Sequence, residues 1–66
     1  MEGYEQDDKG NQIALVGDII ITIGVHGDNI SIEQPGDNVE NDLIMIFNVD
    51  QAKGIIQRLQ TFVDSQ

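Results

Sequence analysis

The densest group of side chains able to do chemistry is the acidic and amide-rich run at positions 36–42, Gly-Asp-Asn-Val-Glu-Asn-Asp. Carboxylate and carbonyl oxygens are the ligands of Ca²⁺, which takes roughly six to eight of them from a loop that wraps around it. The run lacks the alternating acidic residues and central glycine of an EF-hand. Asp and Asn also populate ordinary loops, because their side chains hydrogen-bond to nearby backbone. A solvated loop is the favoured interpretation, a Ca²⁺ site is the alternative, and we expect no cofactor.

Side chains suited to covalent or acid–base catalysis are few and scattered. There is no cysteine, and the single histidine, His26, falls in a predicted hairpin turn, where a solvated polar residue is the ordinary case. None of the serine and threonine hydroxyls stands at a spacing from His26 that suggests a dyad. Carboxylates abound, but acid–base catalysis needs them in a cleft with separated pKa values. We therefore expect a protein that is not an enzyme.

The charge of the chain is concentrated in one part of the sequence. Residues 1–48 carry ten carboxylates against Lys9, a net charge of −9, whereas residues 49–66 carry two acidic and two basic side chains. Naked nucleic acid and anionic membranes are poor partners for such a chain, and a basic protein is a good one, because long-range attraction speeds its association. The carboxylates predicted to form this partner-binding surface are Asp18, Asp28, Glu33, Asp37, Glu40 and Asp42.

The length of 66 residues allows one domain, which we place at residues 12–66 after an acidic, disordered tail at 1–11. So short a chain buries only about 60% of its extended surface, and small domains are usually reinforced by disulfides, a metal or a second subunit. Without cysteine, and with one histidine, self-association is the remaining common device. No secretory signal or membrane-spanning run is predicted, and a cytoplasmic location is expected.

Hydrophobic alternation predicts a meander of strands. Ile19 to Val25 has apolar residues at every second position, the pattern of a strand with one buried face. Gln12–Val16 precedes it across Gly17-Asp18, either as the other half of a hairpin or as part of one bent strand with a bulge. The next hairpin has two possible registers. A Gly27-Asp28 loop pairs Ile23 with Ile32, and a His26-Gly27 loop pairs Ile23 with Ile30; both keep the apolar residues on one face.

The second half of the chain predicts a turn, a strand and a helix. Pro35-Gly36 suits a type II turn, in which the glycine takes a positive φ. Residues 42–48 form a strand that is apolar on both faces. Asn48 suits the N-cap of a helix, with Gln51 three residues on. Gly54 within that helix has two interpretations, a close approach to a strand or an ordinary surface position. The apolar residues of this helix form one stripe, which we call the helix stripe: Ala52, Ile55, Ile56, Leu59, Phe62 and Val63.

These elements predict an α+β fold, a small antiparallel sheet of three to four strands with one C-terminal amphipathic helix packed on one face. If the helix covers the sheet face that carries Ile19 and Ile21, the opposite face mixes isoleucines with polar residues, and an apolar patch of this kind usually marks an interface. The residues predicted to form an oligomer interface there are Ile20, Thr22, Ile44 and Ile46. The alternative is that Gln12–Val16 folds over this patch and leaves no interface there.

The short, cysteine-free and very acidic profile resembles in general character the small inhibitors encoded by phages and mobile elements, some of which present carboxylates in place of nucleic-acid phosphates. The resemblance is one of composition and covers no particular motif. The hypothesis from sequence is a non-enzymatic homo-oligomeric module that binds a basic protein. The alternative is an assembly subunit whose apolar sheet face builds an oligomer and whose charge maintains solubility.

Overall fold

The computed structural model describes residues 1–66 and shows an antiparallel sheet followed by a helix. Strands that follow one another in sequence are neighbours in the sheet, so the order is β1-β2-β3-β4-β5. A single turn of 3₁₀ helix at Val39–Asn41 precedes the last strand. The elements are β1 (Glu5–Gln6), β2 (Gln12–Val16), β3 (Ile19–Gly24), β4 (Gly27–Gln34), β5 (Leu43–Phe47) and α1 (Val49–Asp64).

The predicted α+β class is confirmed, with five strands in place of three to four. The additional strand, β1, is two residues long and lies in the segment expected to be a tail, where it pairs Glu5 with Ile13 and Gln6 with Gln12. Two residues are too few to show an alternation pattern, so this strand has no signal in the sequence.

The two hairpins resolve the alternatives that the sequence left open. Gly17-Asp18 is a two-residue turn with Val16 opposite Ile19, and Gly17 has a φ of 63°, which glycine adopts without strain. In the second hairpin Ile23 lies opposite Ile30, the register predicted for a His26-Gly27 loop, but the two residues that connect β3 and β4 are Val25 and His26. The ladder shifts after Ile23, so that Gly24 pairs with Gly27.

The type II turn predicted at Pro35-Gly36 is wrong, because Gly36 is not among the glycines with positive φ. Glycine is required there for space. A Cβ at position 36 would lie 2.5 Å from both the Cβ and the carbonyl oxygen of Asn41. The Gly36 N–H donates to Asp42 Oδ1 at 2.8 Å, which draws the two ends of the loop together.

The strand registers sort the sheet into two faces. Ile23, Ile30 and Phe47 form one row, and since they line a groove with the first turns of α1, theirs is the helix-side face. Asp28, near the start of β4, lines the same groove at the end of this face. The apolar members of the helix-side face are Ala14, Val16, Ile19, Ile21, Ile23, Ile30, Ile32, Leu43, Met45 and Phe47. The open face carries Ile13, Leu15, Ile20, Thr22, Ser31, Glu33, Ile44 and Ile46.

The later part of the helix stripe is exposed to solvent, which corrects the expectation that the whole stripe packs along the sheet. Ala52 and Ile55 are half-buried, but Leu59 remains 57% exposed and Phe62 61% exposed. On the sheet, Met45 stays 55% exposed. The physical reason is the direction of α1, which leaves the end of β5 and contacts only β4 and β5. A Cβ at Gly54 would meet no atom within 4 Å, so the close-approach interpretation is wrong.

The fold therefore has no buried hydrophobic core, and Ser31, at 8% exposure, is its one buried residue. The radius of gyration is 13.0 Å, against about 11 Å for a compact chain of this length. The accessible surface is 5404 Å², whereas mass scaling gives roughly 4,200 Å² for a folded monomer of this size. Much of the apolar surface of the sheet and the helix therefore remains exposed to solvent.

Candidate interaction surfaces

Five of the six carboxylates predicted to bind a partner lie at one end of the sheet, which we call the acidic end. The β2–β3 turn and the β4–β5 loop meet there, because in a meander alternate connections fall on the same side. Gln34 Nε2 donates to Asp18 Oδ2 at 3.0 Å and ties the two connections together. The residues of the acidic end are Asp18, Glu33, Asp37, Glu40 and Asp42.

The sixth carboxylate, Asp28, lies at the opposite end of the sheet. It lines the groove beside the helix start, together with Lys53. None of the three basic side chains belongs to the acidic end, since Lys9 is in the β1–β2 turn and Lys53 and Arg58 are on α1. The acidic end is thus a region of one charge sign.

Two polar side chains of the 36–42 loop have structural partners. Asn38 caps the 3₁₀ turn by accepting from the Glu40 N–H at 3.0 Å. Asp42 accepts from the Gly36 N–H. Nowhere in the chain do three His, Asp or Glu side chains form a group able to hold a metal ion. The loop is organised by its own hydrogen bonds.

The four residues predicted to form the oligomer interface share the open face, as the alternation implied. Ile20 and Ile44 flank Glu33 across the sheet, and Thr22 and Ile46 flank Ser31. Ser31 Oγ donates to the Thr22 carbonyl at 3.4 Å. Glu33, a half-buried residue, therefore lies in the middle of the predicted interface. The strand Gln12–Val16 does not fold over this patch but extends the sheet as its neighbour.

Two grooves flank the junction between the sheet and the helix. One, of about 550 Å³, is lined by Phe47, Gly54, Ile55 and Leu59, with Gln51 and Arg58 as its polar side chains. The other lies between the row of Ile23 and Ile30 and the helix residues Ala52 and Ile56. Neither groove contains a nucleophile beside a base. Both are largely apolar channels that continue the helix-side face.

Sequence reasoning missed the part played by Asp7, which organises the β1–β2 turn. Its Oδ1 accepts from the backbone N–H of Asn11 at 2.8 Å and of Lys9 at 2.9 Å, and its Oδ2 accepts from Asn11 Nδ2 at 3.2 Å. Desolvation acts to raise the pKa of Asp7, but these hydrogen bonds and the Lys9 charge outweigh it, so the pKa is lowered from its ordinary value. The Asp-x-x-Gly-Asn spacing was the available signal.

Comparison with protein-family models, with curated proteins and with solved structures found no match to this chain. Among the helices of the structure, none combines the length and the apolar character that crossing a membrane requires.

Proposed function

We propose that this protein is a non-enzymatic interaction module that works as a homo-oligomer and presents its acidic end to a basic partner protein. The uncovered apolar surface is the observation that supports a homo-oligomer. Leu43, Met45, Leu59 and Phe62 are each more than half exposed. Large exposed apolar patches on small proteins mark contact surfaces. The proposal takes the chain as cytoplasmic, the compartment with which a sequence free of cysteine is compatible.

The acidic end supports the basic partner. Five carboxylates without a basic neighbour create a field that attracts a positively charged surface and raises its association rate. Some of the small phage and mobile-element inhibitors that this chain resembles in composition present carboxylates where nucleic acid presents phosphates. A basic protein that normally holds nucleic acid is the partner chemistry that fits.

A salt-dependent pull-down with matched variants tests the acidic end. One variant neutralises Asp18, Asp37 and Glu40 as Asn, Asn and Gln, which leaves an amide oxygen at position 18 to accept from Gln34 Nε2. Asp42 is spared because it holds the Gly36 backbone N–H. The control neutralises Glu2, Asp8 and Asp64 in the same way, so that both variants have equal net charge. We expect basic partners that are released between about 50 and 500 mM salt, and captured poorly by the first variant alone. Partners that are not basic, or equal loss in both variants, would count against the proposal.

The second candidate is an assembly subunit whose charge only maintains solubility, and the two-sided apolar character of β5 favours it. Replacing both Ile44 and Ile46 with Lys separates the two functions. An assembly subunit loses oligomer and function together. An acidic binder retains salt-sensitive partner binding even where the variant is monomeric.

A further inference from the structure

We propose that β5 is the dimerisation strand, and that it pairs antiparallel with β5 of a second copy to form one ten-stranded sheet with both helices on the same face. The inference rests on the homo-oligomer proposed above and gives it a partner surface. It differs from the open-face interface predicted from sequence, because the contact is an edge and not a face.

The first observation is the state of the β5 edge. β5 is the last strand of the sheet, so one side of its backbone has no partner in the chain. Proteins protect such edges with charged side chains, proline or a bulge. Leu43–Phe47 contains none of these, and its five pairs with β4 run without a register shift. Four of its five residues are exposed, from Ile46 at 45% to Leu43 at 66%, and they lie on both faces, whereas Phe47 is half-buried.

The second observation is the distribution of charge. Residues 43–66 carry Asp50 and Asp64 against Lys53 and Arg58, a net charge of zero, whereas residues 1–42 hold the whole net charge of −9. Two copies that approach through β5 and α1 present their neutral segments to each other. An approach through the acidic end would oppose like charges, and an approach through the open face would bury Glu33 of each copy, which is costly for an unpaired carboxylate.

The third observation is the amount of surface left open. The accessible surface of 5404 Å² exceeds the mass-scaling value by about 1,200 Å². A stable protein interface removes about 800 Å² from each partner. The excess accessible surface of one chain is therefore comparable to the area that one chain loses in a dimer interface.

The geometry of an antiparallel pair also places the helix stripe on the same side of the sheet as the apolar row of the second copy. A two-fold axis through Met45 places Met45 of the two copies opposite each other and keeps the helix-side faces continuous, since opposed residues share a face. Each helix starts at one end of its own β5 and extends over about 24 Å. Its exposed part, with Leu59 and Phe62, then lies on the same side of the sheet as Leu43 and Met45 of the second copy.

Single-cysteine cross-linking tests this pairing directly, because the chain has no cysteine of its own. Opposed strand residues lie about 4.5–5.5 Å apart at Cα, within the range of a disulfide. Under a mild oxidant, Met45→Cys should convert to a disulfide-linked dimer, while Leu15→Cys should stay largely monomeric. Leu15 is the more exposed of the two, at 70% against 55%, so random collision would favour the control. Equal or greater cross-linking of Leu15→Cys overturns the proposal.

A charge pair provides a second test. Met45→Lys and Met45→Glu should each be monomeric alone, because like charges then face each other, and an equimolar mixture should return to the dimer mass. Single variants as dimeric as the native chain, or a mixture that stays monomeric, overturn the pairing. If the native chain is an oligomer but Met45→Cys does not cross-link, the β5 pairing fails and the homo-oligomer stands. If the native chain is monomeric, both fail.

Discussion

Asn48 and Gln51 cap each other at the start of α1. The Gln51 N–H donates to Asn48 Oδ1 at 2.8 Å, and the Asn48 N–H donates to Gln51 Oε1 at 3.0 Å. This capping box satisfies two backbone donors that no helical carbonyl can reach. The box fixes the first turn of α1 directly after β5 ends.

Removal of this cap should destabilise the protein. Asn48→Ala leaves the Gln51 N–H without its acceptor and is expected to lower the free energy of unfolding by about 1 kcal/mol. Asn48→Asp keeps an acceptor beside the positive helix end and should lose little. Urea denaturation followed by circular dichroism measures both. An equal loss of unfolding free energy in the two variants would show that the side-chain oxygen at position 48 does not stabilise the helix.

Gly24 is required by its position against Asn11. It has a φ of 109°, and a Cβ there would lie 2.8 Å from Asn11 Oδ1. Gly24→Ala should therefore destabilise the hairpin more than Gly27→Ala, whose φ is 66° and whose Cβ would meet open space. A strained left-handed residue alone costs roughly 1–2 kcal/mol. Thermal unfolding of both variants checks the order, and equal midpoints would contradict the predicted contact.

Gly54 behaves differently, because it lies in the helix with open space around it. Gly54→Ala should raise the stability of α1 by up to about 1 kcal/mol through helix propensity alone. The helical signal and the unfolding midpoint are the measurements. A lower midpoint would mean that another chain closely approaches Gly54 in solution.

The β1–β2 turn should respond to acid through Asp7. Its pKa is lowered in the folded chain, so the stabilisation is present above the unfolded value of about 3.9 and is lost as the pH falls through the folded value. The Lys9 and Asn11 amide signals in NMR should shift together below that value. Asp7→Asn should remove this shift, and a titration unchanged in that variant would assign the effect to another group.

The elements that depend on neighbouring residues were predictable, and those that depend on distant contacts were not. The helix start followed from Asn48 and Gln51, and the strands followed from alternation. The His26-Gly27 register could not be chosen in advance, because both registers preserve the same face. The direction of α1 depends on packing across the molecule, so the expectation that Leu59 and Phe62 would be covered was wrong.

The grouping of the acidic residues is a consequence of topology that sequence alone suggested only in part. Asp18 lies in the β2–β3 turn and residues 36–42 form the β4–β5 loop, and these two connections fall on the same side of a meander. Asp28 lies beside the β3–β4 turn, which falls on the opposite side. Sequence reasoning grouped Asp28 with the other five carboxylates, although the predicted meander already placed it at the opposite end of the sheet. The hydrogen bond from Gln34 to Asp18 joins residues 16 positions apart, and no local pattern in the sequence indicates such a contact.

We propose above that a second copy covers the apolar surface that one chain leaves open. Sedimentation equilibrium of the native chain over a wide concentration range tests it most directly. We expect a mass twice the chain mass of 7.3 kDa, together with an unfolding temperature that rises with concentration, because dimerisation stabilises the folded state by mass action. A mass of one chain at every concentration, with an unfolding temperature independent of concentration, would contradict it.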